Sequence, residues 1–211
     1  MFNLECIICV LIIIYSVIYQ TRVILKYKAN KKIELKDASG LFVAKDILNK
    51  NDYGTLYVTK INGKYNDHYD IERNVIRLSE EVYDEENMAS LTTSFYQVIK
   101  ALVFQDKQKR KENKIKFLAL DITNKISFIF FIIGATSKDL GVMILCLGLM
   151  ILVIIIRYSY IEKYNDLAEK NIKYLKKEYK LKEEDVLLVE KTLNTLILNE
   201  ISIQLFNCKY W

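Results

Sequence analysis

The sequence predicts a mainly α-helical membrane protein that carries a small α+β domain on the cytosolic side. Long apolar runs fall in residues 1–25 and 126–156, whereas residues 26–116 mix polar and apolar side chains. The chain contains no proline, the residue that most often interrupts a helix. Charged residues still make up 27% of the chain, so they are segregated from the apolar runs. Segregation of this kind favours membrane helices beside a polar domain.

The first apolar segment, residues 4–25, is long enough to cross about 30 Å of hydrocarbon. Its start holds Glu5 and no Lys or Arg, and no small-residue cleavage site follows, so we expect a retained anchor instead of a signal peptide. By the positive-inside rule the basic residues after it lie in the cytosol and the N-terminus lies outside. These residues are Arg22, Lys26, Lys28, Lys31 and Lys32.

The second apolar region, residues 117–157, predicts a hairpin of two membrane helices around the turn Ser137-Lys138-Asp139. To cross the bilayer, the first helix must begin near Phe117 and include Asp121 and Lys125, whose spacing allows an ion pair on one helix face. Basic residues precede and follow the hairpin, so both of its ends are expected in the cytosol. The basic block 107–116 also suits contact with anionic lipid headgroups.

Residues 26–116 predict a cytosolic domain of short helices and strands. Ser39 is expected to cap one helix, and Asn87 a second helix with an apolar stripe. Residues 55–61 and 74–78 predict the two strands of a short β hairpin, and the segment between them carries His68. The stripe of the second helix comprises Met88, Leu91, Phe95, Val98 and Leu102.

Residues 158–211 predict two C-terminal helices. The first covers about 161–179, and the second runs from about 184 to 206. Several polar residues make the second helix a poor candidate for a fourth span, so we expect it to pack on the cytosolic domain or to lie along the membrane surface.

Three stretches of the domain together carry a resemblance to a known family. They are Gly40-Leu41 with Ala44 and Ile47-Leu48, the run Asp67-His68-Tyr69-Asp70, and the run Val75-Ile76-Arg77-Leu78-Ser79-Glu80-Glu81-Val82-Tyr83. Their order resembles the bacterial neutral zinc metallopeptidases, the YugP-like membrane family. The resemblance covers nearly the whole chain and implies a zincin-like fold with a zinc-binding His-Glu-x-Gly-His helix after the third stretch.

The zinc-binding motif is degenerate in this chain. Counting without gaps from Ser79 puts Tyr96 at the first ligand position, Gln97 at the general-base position and Lys100 at the second ligand position. A protonated lysine has no lone pair for a metal, and an amide cannot accept a proton from metal-bound water. The chain has a single histidine. We therefore expect no zinc cofactor and only a zincin-like remnant.

Two alternatives at this site stay open from the sequence. The family's carboxylate motif after the hairpin falls on Glu162 in one register and on Tyr164 in another. His68 is expected to be a hydrogen-bonding structural residue, but with Asp67, Asp70 and either Glu81 or Glu162 it could coordinate a metal. Lys100 could replace the charge of the metal by pairing with Asp67, Asp70 or Glu162.

The leading functional prediction is a pseudopeptidase, a binding subunit that has lost metal binding and proteolysis. The alternative is a metal-dependent peptidase or hydrolase with a site rebuilt around His68, and a third reading is a paralogue without selected function. Expected partners are membrane lipid and a protein, such as an active paralogue. The net charge of +5 is concentrated beside the apolar segments, so nucleic acid is not expected as a partner. The predicted location is the cell membrane, with several spans.

Overall fold

The computed structural model describes residues 4–64 and 66–200, which form a mainly helical protein with a small amount of β structure. The helices are α1 (Leu4–Asn30), α2 (Gly40–Lys50), α3 (Glu80–Asp84), α4 (Met88–Val103), α5 (Lys107–Ser137), α6 (Leu140–Tyr158), α7 (Ile161–Glu178) and α8 (Glu183–Asn199). The strands are β1 (Glu34–Ser39), β2 (Tyr57–Ile61), β3 (His68–Asp70), β4 (Val75–Ser79) and β5 (Glu86–Asn87).

Within the described residues, three helices are long and apolar enough to cross a membrane. They lie within Cys6–Asn30, Arg110–Ser137 and Leu140–Glu178. The turn between α5 and α6 falls where the sequence predicted it: Lys138 takes a left-handed backbone conformation (φ 59°), and the Asp139 side chain caps α6 by accepting from the Val142 N–H. α5 begins ten residues before the predicted Phe117, because the basic stretch 107–116 is helical too.

The predicted hairpin of residues 55–61 and 74–78 is wrong. β2 and β4 are parallel neighbours, in register from Tyr57 beside Val75 to Ile61 beside Ser79. A parallel pair needs a crossover of a dozen or more residues, and residues 62–74 supply one. The hairpin is formed instead by β3, which pairs antiparallel with β4 and places His68 opposite Arg77. His68 therefore lies in an edge strand, since the strand order is β2-β4-β3. β1 and β5 form a separate antiparallel pair.

α4 is the central helix of the domain and is buried on nearly all sides. Asn87 caps it as predicted, by accepting from the Ser90 N–H, and the predicted apolar stripe is buried. Hydroxyl residues on the other faces are buried as well. Burying these hydroxyl groups costs little free energy because they are hydrogen-bonded. Thr92 donates to the Met88 carbonyl at 2.8 Å, and Ser94 donates to the Gly40 carbonyl.

The C-terminal helices pack on this domain. α7 and α8 both contact α4, and α8 also contacts α1. Leu175 of α7 and Leu193 of α8 lie in the same apolar core as Phe95 of α4. The expected packing of the last helix on the domain is thus confirmed as far as Asn199, and its continuation to 206 lies outside the described residues. α1 and α5 each cross a predicted domain boundary, at 25 and 116, and the division into 1–25, 26–116, 117–157 and 158–211 stays a prediction.

Candidate functional site around the degenerate zinc motif

α4 carries all three residues that the count from Ser79 assigns to the zinc-binding motif. Tyr96 and Gln97 are fully buried, and the Lys100 side chain is 14% exposed. Tyr96 and Lys100 lie one helical turn apart on the same face, with the Lys100 ammonium 5.5 Å from the centre of the Tyr96 ring. The structure therefore keeps the shared face that two metal ligands would need, but fills it with a phenol and an ammonium.

Both side chains contact a residue that the sequence did not single out. The Tyr96 hydroxyl donates to Oε1 of Glu200 at 2.6 Å, and Nζ of Lys100 lies 2.6 Å from the same oxygen. Glu200 directly follows α8, and its side chain is 22% exposed. Lys100 was expected to pair with Asp67, Asp70 or Glu162, and it pairs with Glu200 instead.

The protonation states of this cluster follow from its electrostatics. Burial alone would raise the pKa of Glu200, but the Lys100 ammonium and the bonds to Lys100 and Tyr96 outweigh burial and lower it. Burial, together with the Glu200 charge, raises the pKa of Tyr96 well above its usual value. At neutral pH Glu200 is thus a carboxylate, and Tyr96 is a neutral phenol that donates a hydrogen bond to it.

Gln97, at the general-base position, is held by the strand region beside α4. Its amide nitrogen donates to the Asp67 carbonyl at 3.2 Å, while its buried Oε1 has no hydrogen-bond partner within the described residues. The Asp67 carboxylate is buried and accepts from the Ser79 N–H at 2.7 Å and from the Ser79 hydroxyl. Burial raises the pKa of Asp67 to about 6, although the bonds from Ser79 oppose the shift.

The remaining side chains of the Asp67–Asp70 run have local partners. His68 Nδ1 lies 2.6 Å from the Asn66 carbonyl, so this nitrogen carries the proton, and burial lowers the pKa of His68. The Tyr69 hydroxyl donates to Asn74 at 2.7 Å. Asp70 accepts from Arg77 at 3.2 Å and from two backbone N–H groups of the following turn. These contacts fix the β3–β4 hairpin.

The structure does not bring together the residues of the rebuilt metal site. Glu81 is engaged by Lys31 and Lys64, both at 2.9 Å, and Glu162 is exposed to solvent. Over residues 4–64 and 66–200, no group of three or more His, Cys, Asp or Glu side chains is placed to hold a metal ion.

Of the two residues on which the family's carboxylate motif could fall, Tyr164 lies at this site, and the register of the motif stays a prediction. Tyr164 is 3% exposed and lines the same cavity as Lys100 and Glu200. Glu162 lies two residues earlier on α7, on the exposed face. The position that packs beside the motif helix thus carries a phenol, which adds no carboxylate to the site.

An ionic contact connects this cluster to the α5–α6 hairpin. Arg157, at the end of α6, donates to the Glu200 carbonyl at 3.0 Å and forms an ion pair with Asp121 of α5. Asp121 was expected to pair with Lys125, and it pairs with Arg157 instead. Lys125 lies on the same helix as Asp121, whereas Arg157 reaches Asp121 from the adjacent helix of the hairpin.

A pattern in the sequence could have identified Glu200 and Arg157. Glu200 continues the buried face of α8 at the helical spacing set by Leu193 and Leu196, and Arg157 continues that of α6 after Met150 and Val153. A charged residue at the end of an apolar stripe indicates a buried charge with a partner. The partners themselves lie 36 to 104 residues away along the chain and could not be read from the spacing.

The donor set of this site does not suit zinc. Lys100 brings a cation that is already paired with Glu200, and Gln97 brings an amide. Tyr96 brings a phenol that donates a hydrogen bond to Glu200. Zinc sites in proteins use thiolate, imidazole and carboxylate ligands. Of the described side chains that bond to Tyr96 or Lys100, Glu200 offers a carboxylate.

A family model described as "Putative neutral zinc metallopeptidase" matches residues 5–199 of the chain. The match includes the whole of the cluster except Glu200. No curated protein and no solved structure matches the chain.

Proposed function

Because the chain belongs to the neutral zinc metallopeptidase family, we propose that it is a pseudopeptidase, a membrane-embedded binding subunit without zinc-dependent proteolysis. One observation carries the proposal: the second ligand position holds Lys100, whose ammonium lies 2.6 Å from the Glu200 carboxylate. A cation at this position repels a metal ion, and it already neutralises the nearby carboxylate.

The other two motif positions support the same conclusion. Gln97 has the size of a glutamate, but its amide cannot take a proton from a water molecule. Tyr96 keeps its proton because burial raises its pKa. In this proposal the Lys100–Glu200 pair replaces the charge that a metal would bring, so the framework of the family persists without its chemistry.

The proposal includes a placement of the chain in the cell membrane. α1, α5 and α6 span the bilayer, the N-terminus lies outside, and the domain around α4 lies in the cytosol. The length and apolar character of these helices support this placement, as does the position of basic residues beside them. The expected partners are lipid and a protein such as an active paralogue. A pull-down from native membranes that recovers no specific protein would count against a binding subunit.

Elemental analysis of the purified full-length chain tests the loss of metal binding. We expect far less than one zinc per chain, with no change in the variant His68→Ala. Zinc near one equivalent in the wild type would contradict the proposal. If His68→Ala removed that zinc, a rebuilt metal-dependent site around His68 would be correct instead.

A restored motif tests the alignment itself. The variant Tyr96→His, Gln97→Glu, Lys100→His places two imidazoles where Tyr96 and Lys100 now contact Glu200, so the Glu200 carboxylate becomes the available third ligand. We expect this triple variant to bind about one zinc and the same variant with Glu200→Gln to bind much less. Casein cleavage by the triple variant is the second readout. Absence of zinc from both variants would show that the alignment of α4 with the family motif is wrong.

A further inference from the structure

A cavity of about 230 Å³ opens beside the Lys100–Glu200 pair, between α4 and the cytosolic ends of α5 and α6. Four charged side chains line it: the cations Lys100 and Arg157 and the carboxylates Asp121 and Glu200. Sites for drug-sized ligands usually have volumes of about 300–1,000 Å³. The cavity therefore suits a small polar group and not a large ligand.

Aromatic rings form one wall of this cavity. Phe104 packs edge to face with Phe117 at 5.6 Å and stacks on Tyr69 at 6.3 Å, and all three residues line the cavity. The faces of aromatic rings attract alkylammonium groups. The aromatic lining thus favours a cation even though two cationic side chains also line the cavity.

Lys100 and Glu200 keep hydrogen-bonding capacity beyond their contact with each other and with Tyr96. An ammonium has three N–H donors, and Lys100 uses one of them on Glu200. Both hydrogen bonds that the Glu200 carboxylate accepts from described residues go to Oε1, which leaves Oε2 as an acceptor. The Asp121 side chain is 47% exposed despite its pairing with Arg157. A ligand with one anionic and one cationic group would match this arrangement.

The cavity lies where the apolar helices meet the domain. On α5, Phe117 and Asp121 are surrounded by outward-facing apolar residues, including Leu118 at 56% and Ile122 at 49% exposure. Tyr158, exposed at the end of α6, is of the type that settles at the membrane–water interface. If these helices span the bilayer, the cavity opens at the depth of the lipid headgroups.

We propose that this cavity binds the headgroup of a zwitterionic phospholipid. The phosphate lies toward Lys100 and Arg157, and the ammonium lies toward Asp121, Glu200 and the aromatic wall. The four lining charges sum to zero, which matches a zwitterion better than an anionic headgroup. The acyl chains stay in the bilayer along α5 and α6. This inference rests on the membrane placement in the proposed function.

Lipid retention by the full-length wild-type chain in detergent tests the proposal. The probes are phosphatidylethanolamine, phosphatidylglycerol and diacylglycerol with identical acyl chains, and the readout is bound lipid per chain by native mass spectrometry. We expect about one phosphatidylethanolamine per chain, with retention of the other two lower by roughly tenfold. Equal retention of all three lipids would overturn the proposal, since no headgroup would be selected. A preference for phosphatidylglycerol would overturn it in favour of contact with the basic stretch 107–116.

A water-soluble compound distinguishes binding of a lipid from binding of a free metabolite with the same headgroup. Glycerophosphoethanolamine carries the phosphate and the ammonium but no acyl chains. We expect it to raise the melting temperature only at concentrations far above those at which the lipid acts. Equal potency of the two compounds would overturn the assignment to a membrane lipid.

Two matched tryptophan variants locate the site. Ile71 lines the cavity outside the ion-pair network, so Ile71→Trp is expected to fill the space and abolish selective retention. Ile129→Trp adds the same bulk on α5 at a side chain that is 56% exposed, and is expected to retain lipid like the wild type. Retention by a folded Ile71→Trp variant would contradict the assignment.

The lipid experiment and the zinc experiment test the two proposals separately. Selective lipid retention by a chain that also binds zinc would overturn the pseudopeptidase and leave the headgroup site. Loss of selectivity in a zinc-free chain would overturn the headgroup site alone.

Discussion

At the scale of single residues, one carboxylate oxygen organises the degenerate motif. Oε1 of Glu200 accepts hydrogen bonds from both the Tyr96 hydroxyl and the Lys100 ammonium. Each of the three side chains is largely buried. Removing one partner of a buried ion pair costs more than removing both, since a lone charge stays in a region of low polarity. The local stability of this site thus depends on the pair being complete.

The variant Lys100→Met is therefore expected to be strongly destabilising. Breaking a buried ion pair typically costs about 3–5 kcal/mol, which for a chain of this size lowers the melting temperature by roughly 10 °C. The measurement is thermal unfolding in detergent, followed by circular dichroism. The double variant Lys100→Met, Glu200→Gln is the control, since its amide oxygen still accepts from Tyr96. A double variant no more stable than the single one would show that the ion pair is not what stabilises the site.

Asp67 gives a dependence of stability on pH with a defined sign. Its pKa is about 6 in the folded chain and near 3.8 when unfolded, so between pH 4 and 6 the folded state binds more protons. Asp67 therefore contributes roughly 3 kcal/mol to the free energy of unfolding below pH 4. This contribution is lost as the pH rises through 6. We expect Asp67→Asn to gain stability over the wild type across this range, measured as the difference in melting temperature.

Asp70 supplies the matched control with the opposite sign. Burial would raise its pKa, but the bonds from the Arg73 N–H and Arg77 lower it. Its contribution is therefore present above pH 4 and is lost as the pH falls further. Asp70→Asn should lose stability relative to the wild type at neutral pH. A shift in the same direction for both variants would indicate a general charge effect.

At the scale of secondary structure, the close approach of α2 to α3 depends on one glycine. A Cβ atom at Gly40, the first residue of α2, would lie 2.0 Å from the Val82 carbonyl oxygen of α3. That contact is with backbone, so it cannot be relieved by rotating a side chain. Gly40 also offers its own carbonyl to Ser94 of α4, so its position affects the central helix.

Gly40→Ala is expected to destabilise the domain. Overpacking costs about 1–3 kcal/mol in well-packed cores, so the melting temperature should fall by roughly 5 °C or more. Gly148→Ala in α6 is the control, because nothing lies within 4 Å of its added Cβ and alanine is the better helix former. Similar melting temperatures for both variants would contradict the packing of α2 on α3.

At the scale of the whole molecule, the domain and the membrane helices form one connected structure. α5 runs without interruption from the basic stretch into its apolar part, and Lys114 on that stretch pairs with Glu72 of the β3–β4 turn. Arg157 joins α6 to the end of α8. In the proposed membrane placement, the orientation of the α5–α6 hairpin therefore fixes the side on which the whole domain lies.

The proposed orientation predicts which loops react with a membrane-impermeant maleimide. In a variant whose four native cysteines are serines, Lys138→Cys in the α5–α6 turn should be labelled on intact cells. Lys64→Cys in the loop after β2 should be labelled only after lysis, because that loop lies in the cytosol. The reverse pattern would invert the orientation. Protection of both sites on intact cells and their labelling after lysis would contradict a hairpin that spans the membrane.

The sequence alone determined the local features of the chain. The apolar runs predicted the three long helices, and Ser39, Asn87 and the turn at Lys138 marked helix ends correctly, because capping and hydrophobic length depend on neighbouring residues. The linear count from Ser79 predicts which three motif positions are altered, and this alignment stays a prediction that the restored variant tests.

Contacts between distant residues were decided only by the tertiary structure. The parallel pairing of β2 with β4, the exposure of Glu162 beside the buried Tyr164, and the pairing of Lys100 with Glu200 all depend on how the helices and strands pack. Short strands have the same residue pattern in either direction, and an ion pair carries no signature of its partner in sequence. Composition and spacing thus predict which residues the site has lost, while packing determined the contacts that Tyr96, Gln97 and Lys100 make.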